Sequence, residues 1–365
     1  MRIVQLVPAM EQGGVERGIV EINRALVAAG HENLVISAGG RLVGQLQRDG
    51  ARTVTLDVKS KNPLMYFARA RALRRVLADV RPDVVVAHSR VPAWLFVWAN
   101  RTLRLPWITF AHGANSISKY SRVMTAGDVT VTPSRYIADY LKDAYGIGEE
   151  KLRVIPRAID RSRFDPDRLD MDFIEAKRLE WGLEGRRVVM GLGRITQLKG
   201  YDTLIRATAI VREKVPAVKT VIVGEAEALR RDVEDSLRSL VKELSLEDCV
   251  VFAGNQQKVA ECLDMADVVV SANTRKPEAF GRSMAEALAM NRPVVAAAFG
   301  GALDIVDDGV NGVRVPLEKA DAEGFAQALV AALGRSWGDV RTPALEKFSF
   351  ERMIERSLAV YGEFQ

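Results

Sequence analysis

The chain is poor in the residues from which metal and redox sites are built. Its 365 residues include two cysteines and three histidines. Cys249 and Cys262 stand in apolar surroundings without a Cys-x-x-Cys spacing, the pattern of buried, reduced thiols. His31, His88 and His112 are far apart, and no His-Glu-x-x-His pattern is present, so no metal site is expected. Long apolar runs are also missing. No window approaches the roughly 18 apolar residues of a membrane span. The first apolar run, Met1-Arg2-Ile3-Val4-Gln5-Leu6-Val7, is too short for a signal segment and lacks a cleavage signature. It reads as a buried strand, and the protein is expected in the cytoplasm.

What is present is a composition of 48% hydrophobic and 27% charged residues over a length that suits two domains. The net charge of +5 is uneven. Through Asp160 there are 23 Lys and Arg against 14 Asp and Glu, and beyond it 29 against 33. A first half near +9 suits solvated faces, or a surface for anionic lipid or an anionic acceptor. Nucleic acid is not expected, because the cations are not interleaved with aromatics.

Short apolar runs alternate with amphipathic stretches. The first series has candidate strands at Ile3–Val7, Glu32–Ser37, Thr53–Leu56, Val84–Ala87, Trp107–Ala111, Val129–Thr132 and Arg153–Ile155. Helical patterns such as Val15–Ala29, Pro63–Leu77 and Ser134–Tyr145 lie between them. A second series runs through Arg187–Leu192, Val218–Val223, Val250–Ala253, Val268–Ser271, Pro293–Ala297 and Gly312–Val315. Continuous apolar strands in two β-α series predict an α/β protein with two doubly wound parallel sheets. The join falls in the charged stretch Ala158–Trp181. The expected domains are residues 1–160 and 161–349, with a last amphipathic helix over 350–365 completing the first. Ligands are then expected where strand C-ends face a crevice.

Four segments carry candidate chemistry. Gly13-Gly14 follows the first strand and opens a helix, where exposed N–H groups suit an anion. Two glycines there also suit a plain tight turn. Gly193-Arg194, with Lys199-Gly200, leaves the first strand of the second series. Arg194 and Lys199 would hold a pyrophosphate and stabilise its charge on departure, or would be solvated loop charges. His112-Gly113 follows a strand, where a histidine is structural or reactive. The segment Lys276-Pro277-Glu278-Ala279-Phe280-Gly281-Arg282-Ser283-Met284-Ala285-Glu286 places Glu278 in a loop and Glu286 in a helix rich in Ala and Met. A lone charge there would be expensive to bury, which favours a ligand over a plain surface acid.

The order of these parts resembles the retaining glycosyltransferases of family 4, which have the GT-B fold of two Rossmann-like domains facing a cleft. The series is Gly13-Gly14-x-Glu16-Arg17, His112-Gly113, Ser134-x-x-x-Ala138, Ile155-Pro156, Gly193-Arg194 with Lys199-Gly200, Val251-x-x-Gly254, the Glu278 to Glu286 segment, then Gly300-Gly301 and Asp308-Gly309-x-Asn311-Gly312. It spans nearly the whole chain. The resemblance implies that Gly13 and Gly14 approach the donor phosphates and that Arg194 and Lys199 clamp the diphosphate. It further implies that Glu278 accepts sugar hydroxyls, that Glu286 binds the ribose and that His112 lies near the transferred sugar. Phe280, Gly281 and Arg282 would join the donor site, and Phe252 and Asn255 would hold the base. No cofactor and no metal ion is implied. The expected partners are a UDP- or GDP-sugar and a glycan or lipid-linked acceptor, with peripheral contact to anionic membrane. Glu278-Ala279-Phe280-Gly281 and His88-Ser89-Arg90-Val91-Pro92-Ala93-Trp94 look most like lipopolysaccharide sugar transferases. Two departures stand out. Arg157-Ala158 replaces the usual Asn-Gly after Ile155-Pro156, and Gly224-Glu225-Ala226 lacks a common second glycine.

Two other functions fit parts of the pattern. An NAD(P)-dependent oxidoreductase needs Gly-x-Gly-x-x-Gly after a strand and an acid ending the next strand; neither is found. A non-catalytic nucleotide-sugar-binding protein would not need Arg194, Lys199, Glu278 and Glu286 all intact.

Overall fold

A computed structural model of the chain describes residues 1–11 and 13–364. The chain divides into two compact units, residues 1–157 with 351–365, and residues 158–350.

The N-terminal unit is built on seven strands, β1 (Arg2–Leu6), β2 (Glu32–Ser37), β3 (Arg52–Thr55), β4 (Val84–Ala87), β5 (Trp107–Phe110), β6 (Val129–Thr132) and β7 (Leu152–Val154). They pair in parallel in the order β3-β2-β1-β4-β5-β6-β7. Side chains alternate between the sheet's two faces. Val4, Leu6, Leu34, Ile36 and Val85 face helices Tyr66–Val80 and Arg90–Ala99 through Leu73, Leu77 and Phe96. Val7 and Val35 belong to the other face and meet Ile19 and Val20 of helix Gly14–Ala28. The last helix, Phe350–Gly362, returns to this unit. Its end is held by two 2.8 Å bonds from the Arg153 guanidinium to Glu363.

The C-terminal unit has six parallel strands, β8 (Arg187–Leu192), β9 (Val218–Val223), β10 (Val250–Gly254), β11 (Val268–Ser271), β12 (Val294–Ala297) and β13 (Gly312–Val315). Their order is β10-β9-β8-β11-β12-β13. One face carries Val189, Val268, Val270 and Val295 against Leu204, Ile205, Phe325 and Leu329. The other carries Val188, Met190, Val269 and Val294 against Met284, Leu288 and Leu345. Residues 158–181, charged along much of their length, add Ile159, Phe164, Ile174 and Trp181 to this second face. Near-continuous Val and Ile runs are what a sheet covered on both faces requires. Both cysteines are free and buried here. Burial pushes the Cys262 thiol up to about 12, so it stays protonated.

In each sheet the strand order reverses once, between β1 and β4 and between β8 and β11. The loops leaving two such strands diverge to opposite faces and open a crevice beyond the strand C-ends. Both expected phosphate loops, after β1 and after β8, leave strands at these reversals.

Phe325 is fully buried between helix Ala322–Leu333 and the sheet. Phe325→Ala should cost about 3–5 kcal/mol. Hydrogen exchange should then show lost protection in β8 and β11 with β1 and β4 unchanged. A loss below about 1 kcal/mol would mean that this face is not packed as described.

Candidate functional site

The C-terminal crevice begins with the loop after β8. Gly193 has φ of +139° and its N–H donates to the Val223 carbonyl at 2.9 Å. The Tyr201 hydroxyl donates to the Gly193 carbonyl at 2.8 Å. Burial, and then the Glu278 charge, raises the Tyr201 hydroxyl above its ordinary value, so it remains a donor. Lys199 ends the short turn Gln197–Lys199, and Gly200 follows with φ of +68°. A Cβ on Gly200 would stand 2.0 Å from the Ala272 carbonyl oxygen just past β11. Glycine therefore lets the two loops at the reversal touch through their main chains.

That contact places Lys199 beside Glu278. The ammonium and carboxylate form an ion pair, each about one-quarter exposed. The Glu278 backbone is held from its other side by Gly300-Gly301, where the Gly301 N–H donates to the Glu278 carbonyl at 2.7 Å. A Cβ on Gly301 would lie 2.1 Å from the Phe280 carbonyl oxygen, so no larger residue allows this approach. Sequence reasoning placed Gly300-Gly301 in the motif series without a task; its task is to fix the Glu278 loop.

The other expected donor residues are placed as follows. Arg194 turns to the loop after β9 and pairs with Glu227, with both side chains well exposed. The Phe280 ring is buried edge-on against Phe348, centroids 5.3 Å apart. Its side chain belongs to the core, and only its main chain remains for a ligand. Gly281, with φ of +99°, begins helix Arg282–Ala289. Glu286 is largely buried, its side chain 15% exposed, but it is not alone: Arg282 one turn earlier reaches it with Nε at 3.4 Å. The charge that looked unpaired therefore has a partner spaced i,i+4. Phe252 lies on β10 with the Arg238 guanidinium 4.4 Å above its ring. Asn255 is exposed just beyond that strand.

In the N-terminal unit, Gly13 caps helix Gly14–Ala28 in an extended conformation, and Gly14 is exposed. Gln12 lies outside the described residues. His112 follows β5 and is not alone. Its Nε2 is 3.0 Å from Nδ1 of His88, which follows β4, and its Nδ1 is 2.6 Å from an Arg157 nitrogen. Burial first, then the Arg157 charge, lowers His88 to about 3 and holds His112 well below its ordinary value. Both imidazoles are therefore neutral at physiological pH. Sequence reasoning found His112 but gave His88 and Arg157 no role. The available signal was Gln5, a polar residue in the middle of an apolar strand.

Two glycosyltransferase family models match the chain, Glycosyltransferase Family 4 over residues 12–163 and Glycosyl transferases group 1 over 173–335. A D-inositol 3-phosphate glycosyltransferase from Actinosynnema mirum is 31% identical over 321 residues, covering 77% of this chain and 72% of that protein. The crystal structure of a glycosyltransferase from Rickettsia africae superposes with a TM-score of 0.88 at 26% identity, over 100% of this chain and 98% of that one. Anabaena HepE, solved with UDP and glucose, gives a TM-score of 0.81 at 21% identity over 100% of both chains. With two parallel α/β units and this kinship through both of them, the chain belongs to the family 4 glycosyltransferases of GT-B fold.

Proposed function

We propose that this enzyme is a retaining hexosyltransferase that takes its sugar from a UDP- or GDP-sugar and passes it to an envelope glycan or lipid-linked acceptor, in lipopolysaccharide assembly at the cytoplasmic face of the membrane. The observation that carries the donor side is the Lys199–Glu278 pair at the reversal point of the C-terminal sheet. It sets a phosphate-binding cation against a hydroxyl-binding carboxylate, the two groups that the sugar–phosphate end of such a donor presents. Lys199 takes the diphosphate, joined by Arg194 as it leaves Glu227. Glu278 accepts hydroxyls of the sugar, and Glu286 those of the ribose. The N–H groups around Gly281 and Arg282 receive phosphate oxygens at the helix start. Phe252 and Asn255 flank the base, and Gly13 and Gly14 approach the phosphates. HepE, with UDP bound in a structure of the same fold, supports a uridine donor.

In the transfer, the bond from the anomeric carbon to the phosphate oxygen breaks as the acceptor oxygen bonds to that carbon on the same face. The acceptor's proton passes to the departing diphosphate. The charge growing on that leaving group is met by Lys199 and Arg194, and on this reading not by a metal ion. His112 lies by the sugar as a neutral group.

The acceptor side rests on one surface of the N-terminal unit. No acid occurs between Asp57 and Asp79 or between Asp83 and Asp128, while these stretches hold eleven Lys and Arg. They fold together. The Tyr66 hydroxyl donates to the Trp94 carbonyl at 2.8 Å, and Trp94 Nε1 donates to the Tyr120 carbonyl at 2.9 Å. Arg90 lies 5.5 Å over the Tyr120 ring, and Phe67 meets Trp98 at 5.7 Å. Leu64 is 88% and Phe67 62% exposed. Exposed apolar tips within a field of cations suit an anionic lipid surface. No helix among the described residues is long and apolar enough to cross a membrane.

Lys199→Ala and Arg194→Ala should each lower turnover on the order of 10²–10³-fold in a nucleotide-sugar transfer or hydrolysis assay. Near-normal rates in both variants would sink the donor assignment. Leu64→Ser/Phe67→Ser should abolish cosedimentation with vesicles containing anionic lipid and leave binding of soluble donor intact. Unchanged cosedimentation would mean that these apolar tips do not carry the membrane contact.

A further inference from the structure

Three amide side chains lie in the core of the N-terminal unit. Gln5 and Asn23 are 0% exposed and Asn33 2%. Buried amides are costly unless bonded, and these form a single line. Asn23 Nδ2 donates to the Asp49 carbonyl at 3.2 Å, and Asn33 Nδ2 to Asn23 Oδ1 at 2.8 Å. Gln5 Nε2 donates to Asn33 Oδ1 at 3.2 Å, and Gln5 Oε1 lies 2.9 Å from His88 Nε2. His88 and His112 follow, and Arg157 ends the line. It crosses β2 and β1 and then the ends of β4, β5 and β7.

The direction of this line is fixed from both ends. The Asp49 carbonyl can only accept. Asn23 must therefore donate to it and turn its oxygen to Asn33, which must donate in turn. By the same step Gln5 presents its oxygen to His88. His88 must then carry its proton on Nε2 and accept at Nδ1. His112 must donate from Nε2 and accept at Nδ1. From the other end, Arg157 can only donate, which again makes His112 Nδ1 the acceptor. The two deductions meet without conflict, and neither depends on how an amide is drawn.

We propose that Arg157 is a positioning residue that locks His112 as the neutral Nε2–H tautomer through this one-way line. Both ring nitrogens of His112 are then engaged inside the protein. It cannot take the acceptor's proton, and it presents a fixed ring. An amide at position 157 could turn its oxygen to a protonated Nδ1; a guanidinium, which only donates, cannot. The rest of the pocket serves Arg157. Its guanidinium stands 5.4 Å over the Phe110 ring. A Cβ on Gly18 would lie 2.5 Å from Arg157 Nη1, so the glycine in helix Gly14–Ala28 leaves its space. The consequence for sugar transfer rests on the proposed donor chemistry; the tautomer does not.

The test is 15N NMR of the full-length protein labelled at histidine, a spectrum with three imidazoles. At neutral pH, His88 and His112 should both be neutral with Nδ1 unprotonated. Arg157→Met should leave His112 Nδ1 open to a proton, so that the ring becomes an imidazolium on acidification where the wild type stays neutral, and Gly18→Ala, which displaces the guanidinium with residue 157 intact, should do the same. Arg157→Lys should restore the wild-type pattern. Both disruptive variants should lose on the order of 10–100-fold in kcat, as misplacement at a reacting centre does, while the donor KM moves by about twofold at most. An imidazolium or an Nδ1–H tautomer in the wild type would overturn the proposal, whether or not any variant folds. So would a His112 in Arg157→Met that resists protonation as fully as the wild type does. A correct tautomer with no transfer from any nucleotide sugar would leave the line intact and count against the donor reading alone.

Discussion

The C-terminal unit depends on a close approach of main chains. Strand order reverses between β8 and β11, and the loops leaving them meet main chain against main chain before they diverge. Gly200 against the Ala272 carbonyl makes that possible, and Gly301 against the Phe280 carbonyl fixes the second of these loops from the side of β12. The outcome is a lysine and a glutamate from distant parts of the chain in direct contact. Neither is deeply buried, so the pair adds little to stability. Its value is geometric. It keeps opposite charges within hydrogen-bonding distance of each other at the reversal of the sheet.

The N-terminal unit uses the corresponding place in its sheet differently. Its reversal lies between β1 and β4, where Gln5 and His88 meet. There the core is threaded by polar groups and not closed by an ion pair. Such a network is expensive if one member is unsatisfied, and here every link has a donor and an acceptor. The two units therefore divide the work by chemistry. One brings fixed opposite charges together at its reversal. The other holds neutral, oriented groups, and carries its excess cations on the outer surface around Leu64 and Phe67.

Much of the fold was legible in the chain. Val84–Ala87, Val218–Val223 and Val268–Ser271 are strands with the bounds their apolar runs suggested, because strands buried on both faces have little choice of residue. Helix boundaries were less clear. The helix expected from Pro63 begins at Tyr66, since Asn62 and Ser60 side chains bond the turn before it and hold it out of the helix. In the site, Lys199 and Glu278 could be found as motifs, but their contact could not, because it depends on glycines in the loops after β8 and β12 packing against the main chain after β11. Glu286 was taken for a charge stranded in an apolar helix. The i,i+4 partner Arg282 was in the sequence and was assigned to the donor instead. Arg157 was visible only as a departure from a pattern. Its meaning lies in Asp49, Asn23, Asn33, Gln5, His88 and His112, which meet it only after the six strands from β2 to β7 of the sheet have paired.

On the proposed reading, Lys199 and Glu278 serve opposite ends of one nucleotide-sugar bond. Calorimetric titration of UDP and of UDP-sugar into the wild type, Lys199→Ala and Glu278→Ala tests it most directly. Lys199→Ala should weaken both ligands, while Glu278→Ala should bind UDP normally and lose only the added affinity of the sugar. Equal binding of UDP and UDP-sugar by the wild type, unchanged in either variant, would contradict it.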